Sequence, residues 1–160
     1  MNSSKFLLFL LIVTAPAHAE RRMAGIFFGW GVFTEARPLK CFAMARPNRP
    51  GTGTDATPHL SVSFGSGRPG EVYARLRAAP RLGSSVLLGI AGRTFPLAAR
   101  GEDAWLADRR ADQVVIALMR TGASMSIESR TAAGARIRDT YALKGAASAI
   151  DAAAMACART

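Results

Sequence analysis

Apolar and polar side chains alternate through the middle of the chain. Leu60, Val62 and Phe64 share one face of HLSVSF, and Val72, Ala74 and Leu76 share one face of EVYARLR, with Arg75 and Arg77 opposite. A period of two marks a strand with one buried face, so both segments are expected as half-buried strands. Upstream, residues 25–34 (GIFFGWGVFT) and then LKCFAMAR read as two strands, separated by the turn-like Glu-Ala-Arg-Pro. Residues 46–58 (RPNRPGTGTDATP) are too rich in Pro and Gly to continue a helix or a central strand and are expected as a loop. Residues 84–92 and 93–100 continue the short-strand pattern, with Pro96 expected at an edge or a bulge because proline has no N–H to give a ladder. A further short apolar piece, EDAWLAD, carries Trp105.

The period changes twice. In DRRADQVVIALMRTG, Val114, Val115, Leu118 and Met119 form a stripe at helical spacing; Asp108 or Asp112 can cap its start and Gly122 can end it. Alternation returns in SMSIES and RIRDTYAL, which the TAAGA turn joins as an expected hairpin. The closing segment is alanine-rich, and Ala146, Ala149, Ile150, Ala153 and Cys157 fall on one helical face. These patterns predict a mainly β fold, a β-sandwich-like or compact barrel domain, with a short helix near 110–121 and a C-terminal helix near 146–158.

The start of the chain belongs to neither pattern. One Lys, a short apolar run from Phe6 to Val13 and the small-residue ending Ala17-His18-Ala19 make a secretory leader over 1–19, with cleavage expected near Ala19/Glu20. The apolar run is shorter than the roughly 18 to 20 residues that span a bilayer, and none of that length follows, so no transmembrane segment is expected in the mature chain. Residues 20–160 then suffice for one domain. Periplasmic or secreted location follows from the leader.

Net charge is +10, of which Lys5 in the leader supplies one. The excess would attract anionic envelope components. The arginines are scattered singly or in pairs, without a long basic run or aromatic interleaving, so no specific nucleic-acid site is expected.

Candidate chemistry is sparse. His59 is the one histidine after the leader, and the paired Cys or His spacings of a metal site are missing, so no metal or cofactor is expected. Residues 65–70 (GSGRPG) match a dinucleotide fingerprint formally, yet a strand follows where that fingerprint needs a helix, and the segment reads as a hairpin connection. Glu102 and Asp103 are adjacent, and Glu128 and Asp139 are expected to face each other across the late hairpin; surface ion pairing with arginine is the expected fate of such carboxylates. Asp139 shares strand parity with Ile137, Tyr141 and Leu143, so on a buried face it would need a partner, for which an arginine is the natural choice. Trp30 and Trp105 read first as core or sheet-surface aromatics, and alternatively as a binding patch. A hydrolase-like site would have to gather carboxylates such as Asp139 with His59 or a reduced cysteine. No catalytic residue is assigned. The two cysteines, Cys41 and Cys157, are expected as a disulfide, since an even count in an exported chain favours a bond over free thiols.

Several pieces taken together, GWGVF, the proline-led LKCFAMARP and SMSIESRTAAGARIRDTYALKGAASAIDAAAMACA, resemble the invasion associated locus B family of exported alphaproteobacterial proteins, especially its short, arginine-rich forms. The resemblance spans most of residues 20–160 and is most specific around Cys41 and in TYALKGAASAID. It implies a β-sandwich-like domain in the periplasm or beyond, with no catalytic residue or cofactor to carry over. The family's founding members are associated with bacterial entry into host cells. With no assembled reaction centre in the sequence, a non-catalytic binding or structural role in the envelope is expected, with a host or envelope protein, or anionic envelope material drawn by the arginines, as partner.

Overall fold

A computed structural model describes residues 20–49, 57–65 and 68–158. The expected leader, 1–19, lies outside the described residues, as do 50–56 of the Pro/Gly-rich loop. The described chain runs β1 (Arg21–Phe27), β2 (Trp30–Ala36), β3 (Leu39–Ala45), β4 (His59–Gly65), β5 (Arg68–Arg75), β6 (Val86–Ile90), β7 (Arg93–Arg100), β8 (Asp103–Leu106), α1 (Arg109–Thr121), β9 (Ser124–Arg130), β10 (Arg136–Ala142) and α2 (Ala146–Ala158). The chain is mainly β, with one helix in each of the two places where the period changes.

All ten strands join one antiparallel sheet in the order β1-β2-β3-β4-β5-β8-β7-β6-β9-β10. The β6–β7–β8 meander enters it reversed, its last strand beside β5 and its first beside β9. The sheet is open, for β1 and β10 do not pair with each other. It is also strongly curled. Trp30 on β2 and Ala142 on β10 stand eight strand spacings apart, about 40 Å in a flat sheet, yet the Trp30 Nε1–H donates to the Ala142 carbonyl at 3.0 Å. The inner face carries Val32, Ala43, Val62, Val72, Leu88 and Ile127, and both helices pack on it: α2 over β2, β3 and β4, and α1 over β5 and against α2.

The helix ends follow their sequence signals. Asp108 caps α1, its side chain accepting the Ala111 N–H at 2.9 Å, and at the other end Gly122 N–H donates to the Leu118 carbonyl at 2.9 Å. Asp112 is not a cap; it is buried and reaches β5. On α2 the buried residues are Ala146, Ala149, Ile150 and Ala153, a face of small side chains that lets the helix lie close on the sheet. Gly145 leads into it with φ +89°, and a Cβ there would stand 2.3 Å from the Phe27 carbonyl oxygen, which only glycine avoids. No helix among the described residues is long and apolar enough to cross a membrane.

One local expectation changes, and another holds only locally. Residues 25–34 are not one strand: they fold back at Phe28-Gly29, and Phe28 adopts φ +54°. The turn carries no polar residue, so alternation alone could not mark it. Pro96 lies on β7, which is interior in strand order. However, β8 ends opposite Leu97, so at Pro96 the strand is paired only with β6 and is locally an edge.

Candidate functional site

The cysteines come together because α2 lies along β3. Cys41 is fully buried in the middle of that strand, and Cys157 arrives from the last turn of the helix. Their sulfurs are 2.06 Å apart and their Cα atoms 5.7 Å apart, across a sequence separation of 116. With both sulfurs in this bond, neither is a thiolate nucleophile, and no free cysteine occurs among the described residues.

Asp139 sits on the inner face of β10, opposite Ile127; Glu128 faces Arg138 instead, at 3.4 Å. The expected facing of Glu128 and Asp139 is therefore wrong by one residue, and a shift of one in a strand puts the two carboxylates on opposite faces. Asp139 is 6% exposed and pairs with the Arg77 guanidinium, whose side chain is 14% exposed. Arg77 Nη2 also donates to the Arg49 carbonyl at 3.2 Å, while Nη1 is buried with no partner among the described residues. Next to it, Asn48 N–H donates to the Thr140 carbonyl at 2.7 Å, and the Ala142 N–H donates to Asn48 Oδ1 at 3.1 Å. This polar cluster and the Trp30–Ala142 bond together fasten β10 to the other half of the sheet. Burial, chiefly, and the nearby Asp139 charge push the Tyr141 hydroxyl up, so it stays a neutral phenol.

Trp30 is a core residue with its N–H satisfied, so the binding-patch reading fails for it. Trp105 is 40% exposed on the outer face of β8, opposite Tyr73 on β5. The same face holds a cross-strand network. The Tyr73 hydroxyl donates to Asp103 Oδ1 at 2.5 Å, and Arg75 bridges Asp103 at 2.6 Å and Glu102 at 2.7 Å. Hydrogen bonds from Tyr73 and then from Arg75 hold the Asp103 carboxyl below its usual range. His59 neighbours this network, its ring centroid 5.9 Å from that of Tyr73, and its Nδ1 donates to the Thr57 carbonyl at 3.1 Å. Burial lowers the His59 pKa, so the ring is neutral at pH 7. His59 and Asp139 share no hydrogen bond or ion pair among the described residues.

Beside this network runs a groove of about 420 Å³, lined in part by Lys40, Glu71, Tyr73, Trp105, Arg109 and Asp112. Asp112 is buried against β5, where Oδ1 accepts the Val72 N–H at 2.8 Å. Burial first, and the charges of Glu71 and Asp108 after it, raise its pKa against that hydrogen bond. The groove offers aromatic walls and charges of both signs. The sequence singled out Trp105 here but not Tyr73, Glu71 or Asp112, whose meeting depends on β8 lying next to β5. Among the described residues, no group of His, Cys, Asp or Glu is arranged to hold a metal ion.

Compared with protein-family models, with curated proteins and with solved structures, the chain matches none.

Proposed function

We propose that this chain is an exported envelope protein, periplasmic or secreted, that binds or braces rather than catalyses. The observation that carries the reading is the Cys41–Cys157 disulfide, which ties the third strand of the sheet to the last helix. Such a bond persists in an oxidising compartment outside the cytoplasm, and the leader pattern over 1–19 points the same way. The resemblance of GWGVF, LKCFAMARP and TYALKGAASAID to the invasion associated locus B family supports the same role and adds contact with a host cell, the setting of that family's founding members. Against a hydrolase-like role stand the oxidation of both cysteines and the commitment of Asp139 to Arg77.

The test is made on protein exported by its own leader. After denaturation in an alkylating reagent, intact mass should show an N-terminus at Glu20 and no alkylated cysteine. Two alkylated cysteines, or retention of the full-length chain in the cytoplasm, would sink the reading.

A further inference from the structure

The loop from β5 to β6 presents an apolar side chain to water at its tip. Leu82 is 98% exposed. The backbone around it is closed into a turn: Ser84 N–H and Ser84 Oγ both donate to the Arg81 carbonyl, at 3.0 and 2.7 Å, and Gly83 takes φ +75°, which glycine adopts readily. The base of the loop is pinned to the β9–β10 hairpin by the Pro80–Thr131 bridge and by the Arg81 N–H, which donates to the Arg130 carbonyl at 2.8 Å.

That hairpin brings arginines to the same corner. Arg130 and Arg136 stand directly opposite each other on the outer face, an arrangement that like charges disfavour. Arg130 Nη1 donates to the Gly134 carbonyl at 3.2 Å, and Arg81 Nη1 lies 3.9 Å from where a Gly134 Cβ would be. None of Arg81, Arg130 and Arg136 has a carboxylate partner among the described residues; the nearby Glu128 is paired with Arg138. A depression of about 310 Å³, lined in part by Ser84, Ser85, Glu128, Arg130 and Arg136, opens beside them.

We propose that this corner docks the protein on an anionic phospholipid surface, with Leu82 entering the acyl boundary and Arg81, Arg130 and Arg136 meeting the phosphates. The guanidiniums alone would suit any phosphate. What selects a bilayer is the exposed Leu82, whose burial a soluble anion does not provide, next to cations that an anionic leaflet attracts. A phosphate between Arg130 and Arg136 also cancels their repulsion. The proposal takes from the envelope reading only the membrane as partner. Vesicle binding and oxidation state are measured separately, so either can fail alone.

The test is co-sedimentation of the protein beginning at Glu20 with vesicles of equal parts phosphatidylglycerol and phosphatidylcholine, against vesicles of phosphatidylcholine alone. Binding should favour the anionic vesicles and weaken as salt is raised from about 0.1 M. Arg130→Gln/Arg136→Gln should lose about fivefold per arginine, and Leu82→Ser about tenfold. The control is Arg37→Gln/Arg110→Gln. Arg37 lies in the β2–β3 turn, at the Arg68 end of the strands and away from this loop. It should bind nearly as the parent does. Equal loss in the control, or equal binding to both vesicle types, would overturn the proposal. So would parent-like binding by Leu82→Ser, and if millimolar inorganic phosphate also displaced that variant the corner would be a free-phosphate site.

Discussion

Arg77 carries its charge into the protein, and among the described residues a single carboxylate meets it. Removing that carboxylate while keeping the cation leaves an uncompensated buried charge, so Asp139→Ala should cost about 3 kcal/mol or more. Replacing both partners by apolar residues, Arg77→Met with Asp139→Leu, should cost much less than Asp139→Ala alone, as comparison of urea midpoints for the three proteins will read. Asp112 presents the opposite electrostatic case, a carboxyl whose pKa burial raises. A raised folded-state pKa means the native state holds the proton more tightly than the unfolded chain does. The group's contribution is therefore fully favourable below its ordinary value near pH 3.9 and is lost as pH rises through the folded value. Asp112→Asn keeps an oxygen for the Val72 N–H and removes the titration. Its stability relative to the parent should rise between about pH 4 and pH 7, with urea midpoints at the two pH values as the measurement; a pH-independent difference would show that Asp112 does not feel its burial.

The helices and hairpins differ in how openly their residues announce them. Ala146, Ala149, Ile150 and Ala153 repeat at helical spacing, and they are the residues α2 buries, so that element was legible from its period alone. Gly145 leads into it. Gly145→Ala adds a clash with the Phe27 carbonyl to a left-handed backbone and should destabilise by about 2 kcal/mol or more. Gly134, at φ +86°, meets only the end of the Arg81 side chain, so Gly134→Ala should cost about 1 kcal/mol. Thermal unfolding of the pair separates clash from backbone strain. The Phe28-Gly29 turn, by contrast, hides inside an aromatic run. Asp139's inward parity was readable, but its partner lies 62 residues away, and periodicity carries no information at that distance. The groove at Trp105 was unreadable for the same reason: it exists because the β6–β7–β8 meander enters the sheet reversed.

As a whole the molecule is a curled sheet that stops short of closing and is fastened instead by a few polar contacts and one covalent bond. In the chain-entropy model a loop of this length raises the free energy of the unfolded state by about 4 to 5 kcal/mol, a large part of the net stability of a domain. Reduction, or Cys41→Ala with Cys157→Ala, should lower the denaturant midpoint correspondingly while leaving the β signal of the folded protein intact. The same bond constrains the order of assembly. Cys157 is made 116 residues after Cys41, so on a ribosome working from the N-terminus all ten strands precede the second sulfur. The bond therefore cannot form until every strand has been synthesised. With two cysteines in the chain there is no wrong internal pairing to correct. The one error open to it is a bond to another molecule, and the time available for that error is the interval between the appearance of Cys41 and the docking of α2.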